Sequence, residues 1–166
     1  MKFLILLRSL SALGSPFGQA GKDITAEPKF SELSPQDSER LNQQRAAIAA
    51  VAWQRYGTAM LSRTKRDLPI LQRLIDDKVF KQSQTYELQS LGVVFGDVLI
   101  SELPLRWVII TDEYGADPTL RYMSTSININ ALTMISKRVE RNESVDLPHL
   151  LQQNRAALSE AKKRFR

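Results

Sequence analysis

The hydrophobic pattern of this 166-residue chain changes its period at Pro104, and that change constrains the fold more than any other feature. Before Pro104, apolar residues recur at helical spacing in three segments: 34–56, 67–79 and 85–102. After it, β-rich or alternating runs follow at 107–111, 120–123 and 126–130. Two more helices are expected, over 132–141 and after Asp146. This order predicts an α+β fold, with four to five helices, mainly N-terminal, packed on a small three-stranded antiparallel sheet.

The third helical segment is the most apolar, which predicts that it lies at the centre of the domain. Gly92 and Gly96 stand four residues apart on it, although each lowers helix propensity by about 1 kcal/mol relative to Ala. We therefore expect another backbone to approach this helix closely. Trp53 lies on an apolar stripe and Trp107 in a strand, and both are expected to be core residues.

The chain has no cysteine and one histidine, His149. It therefore lacks disulfides, thiolate metal sites and cysteine nucleophiles, and a lone histidine excludes most histidine-based sites. The sequence contains no G-x-S-x-G or S-x-x-K motif for a serine nucleophile. No catalytic residue, metal ligand or cofactor is predicted.

Residues 1–20 resemble a signal peptide, with Met1-Lys2, an apolar run over 3–7 and small residues at Gly18 and Ala20. This predicts a periplasmic or secreted protein; the alternative is a cytoplasmic protein with a disordered or mis-started N-terminus. Residues 21–33 are expected to be a linker or arm, and 34–166 a single domain with a basic C-terminal tail. No later segment is apolar enough to span a membrane.

The formal net charge of +5 includes Lys2 and Arg8, so that cleavage after residue 20 would leave +3. Basic residues are dispersed among acidic ones, apart from the run Lys162–Arg166. Such a mild balance does not predict a nucleic-acid partner.

A candidate site follows the first predicted strand, where the turn-rich segment 112–118 carries Asp112, Glu113, Tyr114 and Asp117. Three carboxylates within six residues are compatible with a solvated hairpin turn, a cation site or a partner-binding loop. Their spacing does not match an EF-hand, so no metal site is predicted. An exposed Tyr114 would favour a protein interface, because tyrosine is enriched at binding hot spots.

Arg121 and Arg138 complete the candidate binding residues. If the second strand and the fourth helix are neighbours, both arginines converge beside Asp112 or Asp117. They would then form either an ion-pair network or a pocket for an anion.

The order of several motifs resembles the bacterial domain of unknown function 3806. The motifs are 91–99 with its two glycines, Trp107-Val108, the acidic turn 112–115, Asp117-Pro118, Leu120–Tyr122, and 134–140 with Ser-Lys-Arg. The resemblance covers about 33–151. It implies a compact bacterial domain and supplies no activity or catalytic residues.

Two functional hypotheses remain. The first is a non-enzymatic interaction module of the cell envelope, which binds a protein partner, or a second copy, through the sheet edge or the 112–118 loop. By analogy alone, an immunity protein would be one such module. The alternative is a carboxylate-dependent envelope hydrolase using Asp112, Glu113 or Asp117, with Arg121 holding an anionic substrate, or a small anionic-ligand-binding domain.

Overall fold

The computed structural model describes residues 28–57, 60–113 and 115–163. Its elements, in chain order, are β1 Lys29–Ser31, α1 Pro35–Tyr56, a 3₁₀ turn Lys65–Asp67, α2 Leu68–Asp76, α3 Thr85–Glu102, β2 Leu105–Asp112, β3 Gly115–Tyr122, β4 Asn128–Ile129, α4 Ser136–Glu140 and α5 Leu147–Lys163. The predicted signal peptide, the last three residues of the basic tail and Tyr114 lie outside the described residues. No helix of the described ranges is long and apolar enough to cross a membrane.

The predicted α+β class is confirmed, with one antiparallel sheet in the strand order β1-β2-β3-β4. The additional strand, β1, lies in the segment that was expected to be a linker or arm, and it pairs with residues 109–111 of β2. The β2–β3 turn is tighter than the sequence suggested, because Asp112 already pairs with Gly115. Asp117 therefore belongs to β3 and pairs with Ile110.

Helix α1 begins and ends as its sequence predicts. The Ser34 hydroxyl accepts a hydrogen bond from the Asp37 backbone N–H at 3.1 Å, while the Asp37 carboxylate accepts one from the Ser34 backbone N–H, also at 3.1 Å. This reciprocal capping box satisfies two donors that have no partner within the helix. At the other end, Gly57 adopts a φ of 66°, a conformation that glycine reaches without strain.

Helix α3 lies at the centre of the domain, as predicted, and is buried from Leu88 to Leu99 except at half-exposed Gln89. A Cβ atom at Gly92 would lie 2.4 Å from the Leu132 carbonyl oxygen, which confirms the expected close approach of another backbone. At Gly96 the close neighbour is instead a side chain, since a Cβ there would lie 2.4 Å from Cζ2 of Trp107.

The two tryptophans have different environments. Trp107 is 9% exposed and packs in the core, as expected. Trp53 is 58% exposed, so its assignment to the core is wrong. The physical reason is that α1 buries a stripe that includes Ala52, and the next residue of a helix points about 100° away from its predecessor.

Candidate functional site

The predicted acidic turn lies at the end of the β2–β3 hairpin, where Asp112, Glu113 and Asp117 are exposed. Directly opposed residues of an antiparallel pair share a face, so the register places the side chains of Asp112 and Asp117 on one face of the sheet. Trp107 and Pro118 lie on the other face, which packs against the helices. Within the described ranges, no three acidic or histidine side chains come together to hold a metal ion.

Asp117 and Pro118 also border a cleft of about 200 Å³ between the sheet and the helices. Its walls come from α1, α3, β3 and the connection from β4 to α4. Most of the lining residues are polar, including Arg40, Gln44, Gln89, Asp117, Asn130 and Thr133. One residue of the predicted site thus borders a cavity, whereas the other cavity residues were not predicted from the sequence.

The cleft lies where β4 no longer pairs with β3. The pairing of β4 reaches only Leu120 and Arg121, so residues 115–119 of β3 have no strand partner on that side in the described structure. After β4 the chain turns onto α3, where the Ala131 and Leu132 carbonyls approach Gly92. Since any larger residue at position 92 would collide with these carbonyls, the glycine holds the far wall of the cleft in place.

Gln44 is the most unusual residue in the cleft. It is 4% exposed, and its side-chain amide has no hydrogen-bond partner among the described residues. The atoms of this amide keep some contact with solvent, because among the described residues the fully buried side-chain polar atom without a partner is Oε1 of Gln153. The side chains of Gln89, Asp117 and Asn130 likewise have no partner within the described ranges. The cleft therefore offers amide donors and acceptors together with one carboxylate nearby.

A second polar cluster lies one residue further along α1. Arg45 donates two hydrogen bonds to the buried Asp97 carboxylate, from Nε at 2.6 Å and from Nη2 at 2.8 Å. The Trp107 indole N–H donates a third, at 3.0 Å, to the same carboxylate. Arg63 lies 4.0 Å from it. Sequence reasoning missed this cluster; the available signal was Asp97, the one charged residue in the otherwise apolar stretch Leu91–Ile100 of α3.

The two candidate arginines do not converge. Arg121 donates to the backbone carbonyl oxygens of Thr125 at 2.6 Å and Ser124 at 3.1 Å, and its guanidinium stacks 4.2 Å from the Phe30 ring centroid. The register places Arg121 on the face of the sheet opposite the helices. Arg138 lies on α4, which packs on α3, and donates to the Met134 carbonyl oxygen at 2.6 Å. Partial burial lowers the pKa of Arg138.

Comparison with known proteins supports a family and a fold. The family model of the domain of unknown function DUF3806 matches residues 67–150, half of the chain. Nothing among the curated proteins matches. A crystal structure from Bacteroides thetaiotaomicron VPI-5482, at 1.50 Å resolution, is similar with a TM-score of 0.70 and 15% identity, covering 78% of this chain. The chain spans about half the length of that structure, 47%, and the likeness concerns the fold alone. By its family match, the chain belongs to the DUF3806 family.

Proposed function

We propose that the protein is a non-enzymatic binding module that takes an extended segment of a partner protein along the free edge of β3. The observation that carries this proposal is the Gln44 side chain, which is only 4% exposed, lines the cleft beside that edge and has an amide without a hydrogen-bond partner among the described residues. The amide atoms keep some contact with solvent in the cleft, so they are accessible to a ligand there. A polar group of a bound segment would supply the missing hydrogen bond.

The backbone of β3 provides the second part of the site. The Tyr122 N–H donates to the Ile127 carbonyl oxygen at 3.0 Å, on the β4 side. Because alternate residues of a strand direct their backbone groups the same way, those of Pro118 and Ala116 also face that side. Beyond the end of β4, the Ala116 N–H and both carbonyl oxygens can pair with an added strand, a common mode of peptide recognition.

The two faces of such an added strand would meet different chemistry. Its side chains would alternate between the helical side, where Gln44 and Asn130 line the cleft, and the open side, where Asp117 and Asp112 lie. The partner segment should therefore carry an uncharged polar residue next to a lysine or arginine. Of the three carboxylates at the hairpin end, only Asp117 borders the cleft. The geometry therefore supports binding better than two-carboxylate hydrolysis, which requires the substrate to lie between the two groups.

Selection from a displayed library of random peptides tests the proposal, followed by affinity measurements on the selected peptides. Gln44→Leu removes the side-chain amide from the cleft. Ala116→Pro removes the backbone N–H of residue 116, which points to the free edge of β3, and leaves the hydrogen bonds between β3 and β2 intact. Each change is expected to weaken binding about tenfold, the effect of one or two lost hydrogen bonds. Asp117→Asn should weaken binding by basic peptides a few-fold, whereas the matched control Asp76→Asn on α2 should have no effect.

Selected peptides that bind all of these variants as tightly as the unaltered protein would place the site elsewhere. A dimer seen by sedimentation and abolished by Ala116→Pro would instead identify a second copy of the chain as the partner. Either outcome is distinct from misfolding, which urea unfolding of each variant detects.

The site of action that we propose is the bacterial envelope or the exterior. Support comes from residues 1–20, whose basic start, apolar run and small residues match an export signal. Fractionation of the producing cells, with N-terminal sequencing of the protein, tests this. A periplasmic chain beginning at Gly21 is expected, and a cytoplasmic chain that retains Met1 would contradict it.

A further inference from the structure

A second surface lies at the opposite end of α1 from the cleft. Trp53 is 58% exposed and Met60 84% exposed, both unusual for large apolar side chains. Trp53 lies on the last turn of α1, three residues before Tyr56 and about 60° around the helix from it, and its backbone carbonyl oxygen accepts a hydrogen bond from the Gly57 N–H at 2.8 Å, where the α1–α2 connection begins. We call Trp53, Met60, Arg63, Lys65 and Arg66 the basic–aromatic patch.

Contacts of Tyr56 and Arg73 show that the end of α1, next to the patch, packs against α2. The Tyr56 hydroxyl donates to the Asp77 carboxylate at 2.7 Å, and the Arg73 guanidinium stacks 4.2 Å from the Tyr56 ring centroid. Arg73 in turn shares a groove with Met60 and Arg66. These contacts connect the end of α1 to α2 and place Met60 beside Arg66 and Arg73, whereas Arg63 and Lys65 follow Met60 in the same connection.

The segment that contains the patch carries only positive charges. Residues 53–66 contain four basic residues and no acidic one. All four, which are Arg55, Arg63, Lys65 and Arg66, are exposed. The next residue, Asp67, is buried, and its carboxylate accepts hydrogen bonds from the Ser62 and Arg63 backbone N–H groups at 2.8 and 2.7 Å. It therefore fixes the loop and is only 4% exposed.

Two of these basic groups lie near carboxylates of α3, each at 4.0 Å: Arg63 beside Asp97 and Lys65 beside Glu102. Both carboxylates already have closer arginine partners, at 2.6 Å for Asp97 and 2.8 Å for Glu102. The side chains of Arg63 and Lys65 remain 60% and 67% exposed. Contacts within the fold thus leave a net positive surface.

The groove beside the patch combines apolar and cationic walls. It has a volume of about 440 Å³, with Met60, Pro69 and Ile70 beside Arg66 and Arg73. The nearly buried Asp67 also lines it, and Arg73 is paired with Asp77 at 3.6 Å, so Arg66 is the main cationic group of the groove. An apolar floor next to guanidinium groups suits an amphiphile that has an acyl chain and a phosphate.

We propose that the basic–aromatic patch docks the protein on an anionic membrane surface. Trp53 and Met60 enter the interface between headgroups and acyl chains, where tryptophan is enriched. Arg63, Lys65 and Arg66 contact lipid phosphates, and each basic residue strengthens such binding about fivefold. We choose a lipid surface over a protein because Met60 and Trp53, 84% and 58% exposed, accompany a segment, residues 53–66, that has four basic residues and no acidic one. Binding of this kind is peripheral and needs both the apolar and the basic contribution.

Intrinsic tryptophan fluorescence tests the docking directly, because the chain has two tryptophans and Trp107 is buried. Vesicles of equal parts phosphatidylglycerol and phosphatidylcholine are expected to shift the Trp53 emission to shorter wavelength. Pure phosphatidylcholine vesicles should leave it unchanged, and high salt should reverse the shift because it screens exposed charges. In Trp53→Phe the shift should disappear.

The charge requirement is tested with matched double variants. Lys65→Gln with Arg66→Gln is expected to weaken binding to the anionic vesicles about 25-fold. The control, Lys81→Gln with Arg141→Gln, removes two exposed charges outside the patch and should change binding less than twofold. Arg164→Gln with Arg166→Gln measures how much the basic C-terminal tail contributes to vesicle binding, independently of the patch.

Four outcomes would overturn the proposal. They are no emission shift with anionic vesicles, an equal shift with neutral vesicles, an equal loss in the control pair, and dependence on the C-terminal pair alone. A shift caused by polyglutamate but not by anionic vesicles would also reject the membrane and identify an acidic protein as the partner. None of these outcomes depends on the cleft or on the β3 edge.

Discussion

Gln44 and Arg45 are neighbours on α1, and both carry polar side chains into the interior, but their environments are opposite. Arg45 binds the Asp97 carboxylate through two hydrogen bonds of 2.6 and 2.8 Å. Gln44 is 4% exposed and has no hydrogen-bond partner in the described part of the chain. The polar side chains that α1 carries into the interior are therefore of two kinds. One set is satisfied internally and holds elements together, and we propose that the other is available to a ligand.

The Asp97 cluster joins three elements through one carboxylate, namely α1 through Arg45, α3 through Asp97 itself and β2 through Trp107. A buried ion pair is not by itself strong evidence of stability, because desolvation offsets much of the attraction. Removing one partner is nevertheless very unfavourable, since the other charge stays buried. The cluster therefore holds α1, α3 and β2 in position relative to one another. Removing its carboxylate is the first test of the contrast between Arg45 and Gln44.

The largest effect is expected for Asp97→Ala. This change leaves the Arg45 guanidinium, whose side chain is 15% exposed, without its carboxylate and removes the acceptor of the Trp107 indole. We expect the free energy of unfolding to fall by about 3–5 kcal/mol, measured by urea denaturation at neutral pH. Asp76→Ala, at an exposed position, is the control and should change stability by less than about 0.5 kcal/mol. A loss below about 1 kcal/mol for Asp97→Ala would show that Arg45 reaches water and that the cluster does not align the elements.

The two glycines of α3 allow the cleft and the Asp97 cluster to be altered separately. A Cβ at Gly92 would lie 2.4 Å from the Leu132 carbonyl oxygen in the cleft wall, and one at Gly96 would lie 2.4 Å from the Trp107 ring beside the Asp97 cluster. Each Gly→Ala variant is expected to lose about 1–3 kcal/mol of stability through overpacking. Only Gly92→Ala should also weaken binding of the selected peptides, because only it displaces the cleft wall.

Urea unfolding, peptide affinity and Trp107 emission together check this pair. Gly96→Ala is expected to change the Trp107 emission and leave peptide affinity intact. If either substitution stabilises the protein, as Ala does in an unhindered helix, the close approach at that glycine does not exist.

The same two glycines show how far the sequence could predict the structure. Their spacing on an apolar helix predicted a close approach, and the Ser34–Asp37 capping box and the change of period at Pro104 predicted α1 and the α+β class. The strand β1 could not be predicted, because its three residues become extended only by pairing with β2. The role of Gln44 could not be predicted either, since a missing hydrogen bond is defined by neighbours distant in sequence.

A smaller effect is expected at the exposed end of α1, where polar groups are satisfied without burial of an ion pair. The Ser34 hydroxyl donates to the Asp37 carboxylate at 2.6 Å and lowers the pKa of that carboxyl below its ordinary value of 3.8. A lowered pKa contributes stability above pH 3.8, and this contribution is lost as the pH falls through the folded-state value. Ser34→Ala should therefore lose about 1 kcal/mol at neutral pH, and less in acid.

Urea denaturation on both sides of pH 3.8 measures this difference. Ser83→Ala, at an exposed loop position, is the control and should behave like the unaltered protein at both values. An equal loss for Ser34→Ala in acid and at neutral pH would mean that the serine caps the helix without influencing Asp37.

The smallest effect, and the most informative one, has the opposite sign. Gln44→Leu replaces an amide that has no partner among the described residues, on a side chain only 4% exposed, with an apolar side chain of similar size, so the free energy of unfolding should rise by about 0.5–1 kcal/mol. The same variant should bind the selected peptides about tenfold more weakly. Gln43→Leu, on the exposed side of α1, is the control for both measurements. A gain in stability with a loss of binding is what a residue kept for a ligand must show. A loss of stability would mean that Gln44 is hydrogen-bonded within the protein, and the contrast with Arg45 would no longer hold.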